Sequence, residues 1–167
     1  LGFALIGLPL CVQITLLFAD RIVRRFNFRL VLMMGIPLLS ISQVFATLSE
    51  SAYTFAGILM LGGAAIAVIE VAVNLEADRV EAHIGHRIMN RSHAYWSFGF
   101  FGAGIVGAGF SQLGITPFSH FALITVLSSV LTILLFAKYD AAKARRQSVA
   151  EKNKGFVWPS QGIFLLV

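Results

Sequence analysis

Glu70 is the residue best placed to do chemistry. It is the one ionisable side chain with apolar sequence on both sides, Ile66 to Ile69 before it and Val71 to Val73 after it. A carboxylate inside apolar helix is costly, turns toward a bundle interior, and marks ion or substrate paths. Desolvation raises a carboxyl pKa toward neutrality, so a buried Glu70 is expected to load and release a proton near physiological pH. Gly63, Ala67, Glu70 and Asn74 follow the i, i+4, i+7, i+11 spacing of one helix face. Glu70 and Asn74 therefore form the candidate proton-coupling and substrate site. The competing reading makes Glu70 part of a wet helix end together with Glu76 and Asp78.

Other polar residues invite narrower roles. Asp20 stands among Arg21, Arg24 and Arg25, and charge-assisted pairs there could hold one arrangement of a bundle. The alternative is that the arginines only orient the chain in a membrane. His93 enters an apolar stretch and is a candidate gate or proton relay. Gln13 and Tyr95 are uncharged polar residues that could line a substrate path. The stretch 76–93 mixes Glu76, Asp78, Glu81, His83, His86 and His93. No pair has HExxH or HxH spacing, so a solvated amphipathic helix with Arg79 and Arg87 is expected there, with no metal. A lone cysteine, Cys11, leaves no partner for a disulfide.

The elements that position these residues follow from composition. The chain has 167 residues, 57% of them hydrophobic and 13% charged, with mean hydropathy +0.82. Soluble domains are less apolar and about 25% charged, and disordered chains are poor in apolar residues, so both classes are excluded. Uncharged runs fall at about 1–18, 30–49, 52–75, 94–111 and 119–137, with Glu70 the one interruption, and a further apolar run starts at 161–167. Continuous rather than alternating apolar sequence predicts helices, since barrel strands have a period of two. The fold class is all-α, a polytopic transmembrane helical bundle.

Charge sorts the loops. Every Lys and Arg lies in 19–29, 76–93 or 138–160, while the connectors around Glu50 and from Gln112 to His120 hold none. The positive-inside rule makes those three loops cytoplasmic. The net charge of +5 and pI of about 9.9 are thereby explained as topogenic, and no nucleic-acid partner is expected. Gly99, Ala103 and Gly107 form a small-residue stripe expected to allow close helix approach. Pro9 and Pro37 are expected to kink their spans. Trp158 and Pro159 read as an interfacial anchor before the last apolar run.

Two stretches carry a resemblance. Phe18-Ala19-Asp20-Arg21-Ile22-Val23-Arg24-Arg25 resembles the G-x-L-A-D-R-x-G-R-R signature between the second and third helices of the major facilitator superfamily. Ala19, Asp20, Arg21, Arg24 and Arg25 match, and Leu16 and Val23 stand where the family has glycines. Glu70 to Glu81, with Gly85-His86-Arg87-Ile88-Met89 and Ser92-His93-Ala94, looks like the fourth helix and following loop of bacterial sugar-transporter-like members near the fucose–proton symporter branch. The resemblance implies a partial N-terminal six-helix half: the second to sixth helices, a cytoplasmic central loop at 138–160, and the start of the seventh helix. Asp20 and its arginines would then be a cytoplasmic conformational latch.

The expected function is secondary active transport, not enzymatic catalysis. The resemblance implies proton-coupled movement of a small polar solute such as a sugar by alternating access. Drug or metabolite efflux on the same fold, or a non-transporting polytopic sensor or scaffold, are the rivals. No cofactor is expected beyond a proton gradient. The expected partners are the lipid bilayer, the solute and the C-terminal half of the same protein, in a bacterial inner (plasma) membrane.

Overall fold

The computed structural model describes residues 5–142. Five helices follow one another: α1 (Gly7–Arg25), α2 (Phe28–Thr47), α3 (Ala52–Ile84), α4 (Met89–Gln112) and α5 (Pro117–Phe136). There is no strand among the described residues, and the fold is an all-helical bundle. The basic stretch from Lys143, the anchor at Trp158 and Pro159, and the apolar run 161–167 lie outside the described residues.

Local chemistry sets most of the boundaries. The side chains of Asn27, Ser51 and Thr116 accept hydrogen bonds from the N–H of Leu30, Thr54 and Ser119, which caps α2, α3 and α5. Pro117 occupies the first turn of α5, where no N–H is needed. Gly85 ends α3 with φ +71°, a left-handed conformation that glycine adopts without a Cβ penalty. Pro37 lies inside α2 and withholds an N–H from the carbonyl of Met33. Pro9 falls in the first turn of the described α1, where the missing N–H removes no bond of that helix.

Helix α3 is the hub. It packs against α1 on one side and α2 on another, while α2 also packs against α5. Glycines make these crossings tight. A Cβ on Gly63 would lie 2.5 Å from the carbonyl oxygen of Leu8, and one on Gly7 2.9 Å from that of Ala56. Gly62 meets Ser42 Oγ at 2.6 Å in the same sense. In lipid, such close backbone approach is what holds helices together, because tails are as apolar as leucine. Ser40 and Ser128 add a hydroxyl pair at 3.1 Å between α2 and α5.

Helix α4 is the outlier. It has no buried residue and touches α3 and α5 only thinly. The small-residue stripe expected to seat it does not do so among the described residues. Gly99, Gly102, Gly104 and Gly109 face open space, and Gly107 meets only His120, at 3.6 Å.

Three helices are long and apolar enough to cross a membrane: α2, α3 and α5. The described part of α1 ends in Asp20, Arg21, Arg24 and Arg25, and α4 is diluted by glycine, serine, His93 and Arg91. These polar residues keep the two helices below the threshold the others pass. Phe28 at the start of α2 stacks edge-on with Phe136 at the end of α5, at 6.0 Å. Gly7 and Ala56 meet near the starts of α1 and α3. The basic residues of the described chain therefore gather at one end of the bundle, the end where Val23, Phe28, Val31, Leu32 and Ala72 form the core.

Candidate functional site

A cleft of about 180 Å³ opens between α3 and the start of α4. Ile66, Ile69, Glu70, Val73 and Asn74 line it from α3, and Ser92, His93 and Trp96 from α4. Three residues singled out in the sequence for coupling, substrate contact or gating thus share one cavity. The i, i+4 step places Glu70 and Asn74 on one face of α3. His93 and Trp96, three apart on α4, face them across the cleft.

The walls are mixed. Ile66, Ile69 and Val73 are apolar, while Glu70, Asn74, Ser92 and His93 offer a carboxylate, an amide, a hydroxyl and an imidazole. The Glu70 carboxylate and the His93 ring have no hydrogen-bond or ion-pair partner among the described residues. Trp96, 65% exposed, stacks on Phe100 at 6.0 Å and presents its ring to the opening. Such a set can hold a polar solute by hydrogen bonds at one side and an aromatic face at the other.

Burial is distributed differently from the sequence expectation. Glu70, flanked by apolar residues, is exposed to the cleft and covered by no described helix. Among the described residues, the face of α3 that carries it has only the start of α4 beside it. Glu76, expected at a solvated helix end, is 4% exposed. Its Oε1 accepts the Tyr139 hydroxyl at 3.0 Å and the Ala142 N–H at 2.6 Å, and its Oε2 accepts Arg79 Nη1 at 3.3 Å. The polar stretch 76–93 resolves into two and a half further turns of α3, a short turn at 85–88, and the first turn of α4.

Glu81 in that stretch is structural as well. Glu81 Oε2 accepts the N–H groups of Ile88 and Met89, at 3.0 and 3.3 Å. The start of α4 has no side-chain cap of its own, so Glu81 supplies the anion that a helix N-terminus favours. Asp78, Glu81, His86 and Arg87 border a small polar depression at the turn. No group of three or more metal-ligating side chains occurs among the described residues.

Asp20 pairs within its own helix. Its Oδ2 accepts Arg24 Nε at 2.8 Å, an exposed i, i+4 contact that holds the guanidinium charged and raises the Arg24 pKa from its usual value. The hydrogen bond is the larger cause and the charge attraction the smaller. Arg21 and Arg25 are exposed. Gln13 is exposed on α1, and Tyr95, 76% exposed, is not among the residues that line the cleft.

The sequence reading missed Glu76 and Trp96. Glu76 looked like one of several acids near a helix end, and only the fold of the stretch after α5 covers it. Trp96 was legible as the residue one helical turn after His93, but its aromatic neighbours hid it.

No family model matches the chain, and no solved structure matches it at a significant level. Two curated relatives do. An uncharacterized MFS-type transporter of Yersinia pestis is 30% identical over 135 residues, 77% of this chain and 31% of that protein. An uncharacterized transporter of Sinorhizobium fredii is 31% identical over 140 residues, 83% of this chain and 36% of that protein. The chain spans about a third of the length of these relatives. Over most of its length the chain is thus similar to proteins named as transporters, one of them MFS-type, and the apolar helices of the bundle fit a multi-pass membrane protein.

Proposed function

We propose that the chain is part of the N-terminal half of a proton-coupled secondary transporter that moves a small polar solute such as a sugar by alternating access. The observation that carries the reading is the cleft in which Glu70, Asn74 and His93 converge beside Trp96. Glu70 is the coupling group: protonated it neutralises the cleft, ionised it attracts the solute's donors or a returning proton. Asn74 and Ser92 offer hydrogen bonds to hydroxyl groups, and Trp96 gives the solute's C–H face a surface. His93 is the gate or relay between Glu70 and the basic end of the bundle. Gln13 and Tyr95 serve the path only if helices outside residues 5–142 enclose it.

Helix length sets Glu70 toward the cytoplasmic boundary of the hydrocarbon core on this reading. The 33 residues of α3 span about 50 Å, well beyond a ~30 Å hydrocarbon core. Glu70 lies 18 residues past Ala52, toward the end of the bundle that carries the arginines. By the positive-inside rule that end faces the cytoplasm of a bacterial inner membrane. Asp20 with Arg21, Arg24 and Arg25 is the conformational latch of this reading, re-pairing from its intrahelical contact when the bundles rock.

The test uses the full-length protein in proteoliposomes under an imposed pH gradient, with a panel of radiolabelled monosaccharides and an internal pH dye. Wild type is expected to show sugar-dependent proton entry. Glu70→Gln is expected to lose that entry by at least tenfold, a loss of about 1.4 kcal/mol or more of coupling. Proton-driven uptake that survives Glu70→Gln intact overturns the coupling role. The apolar part of the lining, Ile66, Ile69, Val73 and Trp96, favours one second reading, efflux of a hydrophobic solute. Proton-driven export of an apolar dye without monosaccharide movement selects that reading.

A further inference from the structure

Glu76 is a second carboxylate on α3, and the transport reading does not use it. It follows Glu70 by six residues, which at about 100° per residue sets it some 120° round the helix from the cleft. Where Glu70 is open, Glu76 is 4% exposed and both of its oxygens are engaged. Its two contacts outside α3 come from one place, Tyr139 and Ala142, in the stretch that follows α5.

A buried charge is tolerated only when its hydrogen-bonding capacity is met, and an apolar side chain of similar volume commonly packs as stably. What a carboxylate adds is direction: it selects particular donors at particular places. Here the donors are well aimed. The Tyr139 ring lies 5.4 Å from Phe28 and 5.6 Å from Phe136, so packing between the start of α2 and the end of α5 orients its hydroxyl. The Ala142 N–H, at 2.6 Å, fixes the backbone three residues further on. Arg79, one helical turn away, balances the charge from the solvent side. Lys138 just before these contacts, and Asp140 and Ala141 between them, remain exposed. In sequence, the basic run Lys143, Arg145 and Arg146 begins immediately after Ala142.

We infer that Glu76 is a positioning residue that clamps the first residues after α5 to α3, through the Tyr139 hydroxyl and the Ala142 N–H. Residues 139–142 are then held to α3, the helix that carries the cleft, rather than to the end of α5 alone. The inference stands without any substrate, so its test needs none.

The experiment places a nitroxide spin label at Ala141→Cys in the full-length protein, in nanodiscs and in a background freed of other reactive cysteines, including Cys11. A control label sits at Ser111→Cys, at the far end of α4. Glu76→Gln removes the charge at constant volume, and Tyr139→Phe removes one donor while keeping the ring. In each, the label at 141 is expected to tumble roughly threefold faster, and the double variant no faster, as for two groups sharing one interaction. The label at 111 is expected to stay as in wild type. Unchanged mobility at 141 in both single variants overturns the inference, as does equal loosening at 111, the mark of a general loss of stability. If Glu76→Gln does not accumulate, Tyr139→Phe alone decides by the same two criteria.

Discussion

Three glutamates within twelve residues of α3 have three different fates, set by what the fold brings to each. Glu70 meets a cleft, Glu76 meets the stretch after α5, and Glu81 meets the start of α4. The last gives a direct prediction. Glu81→Ala strips the N–H groups of Ile88 and Met89 of their acceptor. It is expected to cost about 1 kcal/mol, as for loss of a helix cap, and to speed amide exchange at 88–92. An unchanged exchange rate there argues that Glu81 is not the cap. Asp20 behaves differently. Its pair with Arg24 is exposed on both sides, at 54% and 72%, and such pairs contribute little to stability. Asp20→Asn is expected to leave the melting temperature as it is and to alter only the distribution between inward- and outward-open states, read by accessibility of labels on the two sides. No change in that distribution removes the latch.

Glycines at the helix crossings sort into two kinds. Gly63 sits where α1 and α3 pass with almost no gap, and a Cβ there runs into the Leu8 carbonyl oxygen, a backbone atom that cannot swing aside. Gly63→Ala is expected to destabilise by about 1–3 kcal/mol, the usual cost of overpacking, and to weaken the α1–α3 contact. Gly99 on α4 has nothing within 4 Å. Gly99→Ala is expected to be neutral or slightly stabilising, since alanine favours helix over glycine by about 1 kcal/mol. Thermal unfolding of both variants in detergent checks the pair. Destabilisation at Gly99 as large as at Gly63 would place another helix, from outside residues 5–142, on that face of α4.

The whole bundle has a firm end and an open side. Its firm end is tied by Glu76 and the ring cluster of Phe28, Phe136 and Tyr139, and this predicts an alkaline response. Burial raises the Tyr139 pKa above 10.0, and the hydrogen bond and charge of Glu76 raise it further. Because the folded value lies above the unfolded one, the stabilisation is complete below pH 10 and is lost as pH climbs through the raised value. Melting of wild type and Tyr139→Phe should therefore differ by a constant amount up to about pH 9.5 and converge above 10. A gap that widens with pH contradicts the assignment. The open side is the cleft and the bare α4, in a chain that covers about a third of its relatives' length. On the proposed reading, the 167 residues alone, reconstituted in liposomes, are expected to catalyse no uptake.

The five helices of residues 5–142, the apolar character of the chain and the gathering of its positive charge in particular loops were legible in the residues themselves. Uncharged runs and the placement of Lys and Arg are local properties that no packing alters. The grouping of Glu70 with Asn74 was legible too, because helical periodicity alone puts i and i+4 on one face. Beyond that, distance along the chain stops being informative. Glu70 and Glu76 look like an intramembrane acid and a surface acid when judged by their neighbours in sequence. Tertiary structure reverses their burial, because Tyr139 and Ala142 return from 63 and 66 residues away to cover Glu76. The same holds for the glycines: Gly63 and Gly99 are equivalent as residues, and only the crossing of α1 over α3 makes one of them indispensable. Burial is a property of what arrives from elsewhere in the chain, and that was decided by the fold.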